Sequence, residues 1–116
     1  MVLWIGFDLQ AEIEAGGDNN WTALHFSAWL GKEAVAAQLL QAGASFSAVD
    51  NVYGSTPLHY AAYYGESSIA NLLLQANASP TAVDKDGDTP AQCAKRQGHG
   101  DLAARLLEAE QAAALK

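Results

Sequence analysis

The segment that decides the fold is TPLHYAAYYG, residues 56–65. A related segment, TALHFSAWLG, begins 34 positions upstream at residues 22–31, and a third, TPAQCAKRQG, begins 33 positions downstream at residues 89–98. Similarity that recurs at a fixed period of about 20 to 50 residues is typical of solenoids, in which each repeat packs on its neighbours. The spacing therefore predicts a stack of similar units.

The repetition continues beyond these segments. LLQAGAS at residues 39–45 recurs as LLQANAS at residues 73–79, and AVD at residues 48–50 recurs at residues 82–84. With its Thr-Pro-Leu-His start, mid-repeat Gly, Leu-Leu pair and terminal Asp, the chain resembles the ankyrin-repeat family over roughly residues 18–110. The resemblance implies an all-α solenoid of stacked antiparallel helix pairs joined by outward β-hairpin loops, with a usual role in binding other proteins.

The two ends of the chain differ from the middle. Apolar residues recur at helical spacing from Leu3 to Ile13, which predicts a helix that ends at Gly16. At the other end, Gln92 replaces the histidine and KRQ at residues 95–97 replaces AYY, a polar change typical of a terminal repeat. We predict one domain with an N-terminal capping helix (1–17), repeat 1 (18–50), repeat 2 (51–84) and a C-terminal capping repeat (85–116).

Composition limits the classes of partner. The 116 residues include 6 Lys and Arg against 13 Asp and Glu, a formal charge of −7 that repels a phosphate backbone. We expect no nucleic-acid partner and favour a protein with a basic surface. The single cysteine, Cys93, excludes an internal disulfide and suits the cytoplasm or another reducing compartment. The apolar start, residues 1–7, lacks both a basic leader and the length of a span, so we expect neither a signal peptide nor membrane insertion.

Two threonine and histidine pairs, Thr22 with His25 and Thr56 with His59, stand at predicted helix starts. A threonine hydroxyl can cap the helix and meet the imidazole, whose other nitrogen can reach the next repeat, so we predict a structural role for all four residues. The alternative is a metal held between His25 and His59. Two histidines with no third ligand at fixed spacing are a weak basis for that site, and we expect no metal and no cofactor.

An acidic segment, DKDGD at residues 84–88, resembles the opening of a calcium loop because carboxylates alternate along it. The resemblance then fails, since Gly87 falls at the fourth position instead of the sixth, and Lys95 stands at the twelfth, where a bidentate Glu is required. The segment is better interpreted as a turn whose acidic residues point into solvent.

No catalytic arrangement is evident in the sequence. Cys93 falls in a slot that faces the core in the family, and the histidines belong to helix starts. The sequence has neither a recognisable Ser, His and Asp set nor a glycine-rich phosphate loop. We therefore predict a protein that is not an enzyme. A deep pocket near His25, His59 or Cys93 would instead favour an enzyme or a small-ligand carrier.

The candidate binding residues come from the family resemblance. Ankyrin repeats contact partners through the loop tips and the last two residues before the Gly that ends each first helix, and in this chain those positions hold five large aromatic residues. Exposed Trp and Tyr often anchor interfaces, whereas we assign Phe26 and Tyr60 to the core. The predicted partner-binding residues are Trp21, Trp29, Leu30, Val52, Tyr53, Tyr63, Tyr64, Asp86, Asp88 and Arg96.

The function that follows is a monomeric, non-enzymatic module that binds a protein through its concave face and loop tips. One alternative is a structural role, in which the aromatic face or the N-terminal helix mediates homodimerisation or docking within a larger protein. In a second alternative, Trp29 and Tyr63 have no role in binding and merely pack against each other between adjacent repeats.

Overall fold

The computed structural model describes residues 21–114, so the predicted capping helix at residues 1–17 lies outside the described residues. Within that range every regular element is helical and no residue lies in a β-strand, which confirms the all-α fold class. The helices are α1 (Ala23–Leu30), α2 (Glu33–Gln41), α3 (Pro57–Tyr63), α4 (Ser67–Gln75), α5 (Pro90–Arg96) and α6 (Gly100–Ala114).

The first helix of each pair begins at a threonine. The hydroxyls of Thr22, Thr56 and Thr89 each accept a hydrogen bond from the backbone N–H three residues later, which satisfies a donor that the helix itself leaves unpaired. Pro57 and Pro90 follow at the first helical position, where a missing N–H costs nothing. The start of these helices is therefore encoded locally.

The helices form two layers. Helix α1 packs on α2 and α3, α3 packs on α4 and α5, and α5 packs on α6, while α2 also contacts α4. First helices therefore lie beside first helices, and the second helices of the first two pairs lie side by side. Small residues allow the close approach, and larger aliphatic residues fill the space between the layers. The fully buried residues include Leu24, Ala28, Leu39, Leu58, Ala62, Ile69, Leu73, Ala94 and Leu106.

Two glycines mark the closest approach between repeats. Gly31 and Gly65 both adopt φ 71°, a left-handed conformation that favours glycine. A Cβ at Gly31 would lie 2.6 Å from the Glu66 carboxylate, and a Cβ at Gly65 would lie 2.8 Å from the His99 ring. Glu66, which follows Gly65, therefore packs over Gly31, and His99, which follows Gly98, packs over Gly65.

The outward β-hairpins implied by the resemblance are tight turns in the structure. In the first loop, Asp50 N–H donates to Ser55 O and Gly54 N–H donates to Asp50 O, both at 3.1 Å. These bonds close a turn but do not extend into a strand ladder. The two loops are joined to each other by a bond from Lys85 N–H to Tyr53 O at 2.9 Å, so the loops stack as the helices do.

Phe26 corrects the predicted core. This residue is 46% exposed, because its ring packs edge to face on Trp21 and Trp29 instead of entering the core. The corresponding Tyr60 on α3 is partly buried against the core, in closer agreement with the prediction. Within residues 21–114, none of the helices combines the length and the apolar character that a membrane span requires.

Candidate interaction surface

The buried histidines connect each repeat to the next. The Thr22 backbone N–H donates to His25 Nδ1 at 3.1 Å, so Nδ1 carries no proton and Nε2–H donates to Ser55 O at 2.8 Å. His59 makes the same pair of bonds, and its Nε2–H donates to Asp88 O at 2.9 Å. Each imidazole thus links a helix start to the end of the following loop, immediately before the next helix.

The neutral form of both histidines is favoured. Burial lowers the pKa of His25 and of His59 below the usual 6.5, and their hydrogen bonds to backbone carbonyls only partly oppose this effect. In the last repeat Gln92 Oε1 accepts the Thr89 N–H at 2.8 Å, so an amide performs the same capping role without a titratable group. The histidines therefore serve the frame of the solenoid.

The predicted aromatic anchors lie mostly outside that frame. Trp29, Tyr63 and Tyr64 are each between 41% and 45% exposed, and Tyr53 is 61% exposed at the tip of the first loop. Trp21 is partly buried. Leu30 and Val52 are also exposed.

The exposed rings form two groups. Trp21 contacts Trp29 with ring centroids 5.5 Å apart and Phe26 at the same distance, both edge to face. Tyr63 contacts Tyr64 at 4.9 Å, also edge to face. Trp29 therefore packs with rings of its own repeat, which disfavours the alternative in which it packs on Tyr63.

Two grooves run between these rings. The tryptophan groove, of about 430 Å³, is lined by Trp21, Trp29, Asp50, Val52, Tyr53, Tyr60 and Tyr64. The tyrosine groove, of about 310 Å³, shares some of these residues and reaches across to α5 and the second loop. Its lining includes Tyr53, Tyr60, Tyr63, Tyr64, Asp84, Asp86, Asp88, Cys93, Arg96 and Gln97.

Comparison with known families agrees with this architecture. The family model for ankyrin repeats matches residues 3–84 as three copies. The chain belongs to the ankyrin-repeat family. Ankyrin repeats are in general protein–protein interaction modules and are typically non-enzymatic. A search of curated proteins found no match for the chain.

The last helix pair, α5 and α6, lies beyond the residues that match the ankyrin family model, but it has the same local structure as the preceding helix pairs. Thr89 and Gln92 form the same reciprocal pair of capping bonds as the threonine and histidine pairs. Helix α5 packs against α3 as α3 packs against α1. The described residues beyond the match therefore extend the ankyrin stack by another unit.

The sequence predicts that Asp88 points into solvent from a turn, whereas the structure buries it. Only 7% of this residue is exposed, because it directly precedes the N-cap of α5 and is held from several sides. Its N–H donates to Asp84 Oδ1 at 3.0 Å, its carbonyl accepts from His59, and its carboxylate pairs with Arg96 at 3.1 Å. Asp86 and Arg96 are exposed, as the sequence predicts for partner-binding residues.

A potential set of metal ligands lies at the base of the tyrosine groove, where atoms of His59, Asp84 and Cys93 lie within 4.8 Å of one another. Both nitrogens of His59 are already engaged, and Nε2 carries the proton that it donates, so the ring has no lone pair free for a metal. Burial raises the pKa of the Cys93 thiol to about 12, with the carboxylates of Asp84 and Asp88 adding to the shift, so the sulfur stays protonated. The chemistry of this set fits a hydrogen-bonded loop better than a metal centre.

Tyr60 lines both grooves, whereas the sequence predicts only a core position for it. Its hydroxyl donates to the Asp50 carboxylate, and its ring meets Trp21 edge to face at 5.7 Å. Burial and this hydrogen bond raise the pKa of the Tyr60 hydroxyl. The available signal was a hydroxyl at the position where the preceding repeat carries Phe26, since a buried phenol needs a polar partner.

Proposed function

We propose that this ankyrin-repeat protein binds another protein through its concave face and loop tips, with Trp21, Trp29, Tyr53, Tyr63 and Tyr64 as anchors. The observation that carries the proposal is the exposure of aromatic rings along two adjoining grooves. Truncation of a central aromatic anchor typically costs about 2 kcal/mol or more of binding free energy, whereas one exposed ring alone has little significance.

The distribution of charge around the rings supports the same conclusion. Asp86 and Arg96 are exposed and line the tyrosine groove together with Tyr63 and Tyr64. An apolar centre with a polar margin is the usual composition of protein interfaces. The formal charge of −7 favours a partner with a basic surface and opposes nucleic acid.

Several features support a role in binding over one in catalysis. Both described buried histidines are committed to hydrogen bonds of the frame, and the Cys93 thiol is protonated and buried. An enzyme requires a nucleophile or a base that can reach a substrate. The free Cys93 also suits a reducing compartment, and we assign the protein to the cytoplasm on that basis.

The test begins with affinity capture from a cell lysate by the full chain, followed by calorimetric titration of the purified partner. The Tyr63→Ala, Tyr64→Ala double variant should bind at least about tenfold more weakly, because two neighbouring anchors are lost. Leu107→Ala is the matched control, since Leu107 is 46% exposed on α6 and lines neither groove. Equal affinity of the double variant and the control would contradict the proposal.

Self-association is the second candidate function. The same exposed rings and grooves lie on one surface, and a two-fold dimer pairs a surface with itself. Light scattering of the wild type at high concentration separates the two candidates. A monomer favours recognition of another protein, whereas a dimer that the Tyr63→Ala, Tyr64→Ala variant disrupts favours self-association.

A further inference from the structure

The tyrosine groove combines aromatic rings with an excess of negative charge. Its charged lining consists of Asp84, Asp86, Asp88 and Arg96, which carry three negative charges and one positive charge. His59, at the base of the groove, is neutral because it donates from Nε2 and accepts at Nδ1. The groove therefore has a local net charge of −2.

The three carboxylates are not equally available. Asp84 Oδ1 accepts the N–H groups of Asp86 and Asp88 at 2.9 and 3.0 Å, so Asp84 holds the loop together. Asp88 is paired with Arg96, and only 10% of the Asp88 side chain is exposed, so this carboxylate is largely covered even though the Arg96 side chain is 66% exposed. Asp86 is exposed, and its carboxylate accepts no bond from any residue between 21 and 114. Both of its oxygens are therefore open to a ligand.

The aromatic part of the lining adds a second kind of contact. Tyr63 and Tyr64 meet edge to face on one side of the groove, and Tyr53 stands at the loop tip with 61% of its surface exposed. Cations are attracted to the faces of aromatic rings, and a guanidinium group can also stack on a ring through its flat surface. An aromatic groove with a free carboxylate therefore complements a cationic side chain.

We infer, on the basis of the proposed function, that the tyrosine groove receives the side chain of an arginine presented by the partner protein. A guanidinium group matches both components, because it donates two parallel N–H bonds to a carboxylate and stacks on tyrosine while losing little hydration. A lysine ammonium is a compact, strongly hydrated charge that uses the carboxylate but not the stacking. Arg96 lines the same groove and presents a like charge to the incoming group.

A direct test uses the full chain and a blocked pentapeptide, acetyl-Gly-Ser-Arg-Ser-Gly-amide, titrated at low ionic strength and followed by amide chemical shifts. We expect saturable shifts confined to residues 84–88 and to Tyr53, Tyr63, Tyr64 and Arg96. The same peptide with citrulline in place of arginine has nearly the same shape without the charge and should bind about tenfold more weakly. The lysine peptide should fall between the two.

Two variants identify the carboxylate. Asp86→Asn should weaken binding of the arginine peptide about three- to fivefold, while Glu108→Gln, which removes an exposed carboxylate from α6, should leave it unchanged. Arg96→Ala should strengthen binding, because it removes the positive charge of the groove lining. Equal binding of the citrulline or lysine peptide, or equal effects of Asp86→Asn and Glu108→Gln, would overturn the inference.

The same variants separate this inference from the proposed function. If the captured partner loses affinity for the Tyr63→Ala, Tyr64→Ala variant but binds Asp86→Asn as tightly as the wild type, the arginine assignment is wrong while the binding role stands. If the tyrosine variant keeps full affinity for the partner, the proposed function itself fails.

Discussion

Replacement of the two buried histidines by glutamine should make the stability of the solenoid less dependent on pH. In the folded chain burial lowers the pKa of His25 and of His59 below the value of 6.5 expected when the chain is unfolded. Nearby acidic groups, Asp50 beside His25 and Asp84 and Asp88 beside His59, oppose this shift without reversing it.

The sign of the effect follows from the number of bound protons. Below pH 6.5 the unfolded chain binds more protons than the folded chain, so the free energy of unfolding falls as the pH falls. The stabilisation is fully present above pH 6.5 and is lost on acidification. Protonation of Nδ1 would also set two donors against each other, since Thr22 N–H already points at this atom in His25.

The size of the effect can be worked out for histidines that stay neutral in the folded chain. Between one pH unit above and one below 6.5, each histidine then removes about 1.4 kcal/mol from the free energy of unfolding, and both together remove about 2.7 kcal/mol. These are upper values, because a folded chain that accepts some protons loses less. The total free energy of unfolding of a domain is typically only about 5 to 15 kcal/mol, so a loss of this size is measurable.

Urea unfolding at a series of pH values, followed by circular dichroism, measures this dependence. The His25→Gln, His59→Gln variant should have a flatter slope below pH 6.5, and each single variant should lie about midway. Glutamine is a suitable replacement because Gln92 already caps α5 through the Thr89 N–H. A slope equal to that of the wild type, or a wild type that becomes more stable on acidification, would refute the reasoning.

Three further predictions concern stability and reactivity. Gly65→Ala and Gly98→Ala both place a side chain at positive φ, which should lower the free energy of unfolding by about 1 to 2 kcal/mol. Urea unfolding should show the larger decrease for Gly65→Ala, because only the new Cβ at position 65 meets the imidazole of His99 in the next repeat. Equal decreases for the two variants would contradict this. Tyr60→Phe removes the donor to the Asp50 carboxylate and should lower the free energy of unfolding by about 1.5 to 3 kcal/mol, measured by thermal denaturation; an unchanged midpoint would count against that bond. The buried Cys93 thiol, with its pKa raised to about 12, should react with Ellman's reagent much more slowly in the native protein than in denaturant, and rapid native labelling would show that the site is open.

The helices could be predicted closely because their signals are local. The threonine before each first helix supplies the N-cap, and Gly31 supplies the left-handed residue that ends α1. Helix α2, from Glu33 to Gln41, follows directly after that glycine and Lys32. Capping and apolar periodicity act within a few residues, so a sequence that repeats them specifies the same elements each time.

The parts that the sequence did not reveal depend on contacts between repeats. Asp88 is buried where its carbonyl accepts a hydrogen bond from His59, 29 positions earlier in the preceding repeat. Phe26 is exposed although it aligns with the partly buried Tyr60, because the neighbours of each repeat decide how much of that position is covered. A local sequence pattern contains no information about such contacts, so it could predict neither the burial of Asp88 nor the exposure of Phe26.

The same contacts between repeats matter for the proposed binding role of the aromatic surface. Trp29 lies on a helix that is capped at both ends. Tyr53 lies on a loop and makes two backbone hydrogen bonds: its N–H donates to the Asp50 carboxylate, and its carbonyl accepts from the Lys85 N–H. In the proposed binding role, the backbone beneath the rings is held by these bonds before a partner arrives, so we expect the ordering on binding to fall mainly on side-chain rotamers. Since each immobilised flexible side chain costs about 0.5 to 1.5 kcal/mol, a preformed frame with short, stiff aromatic anchors retains most of the free energy of ring burial as affinity.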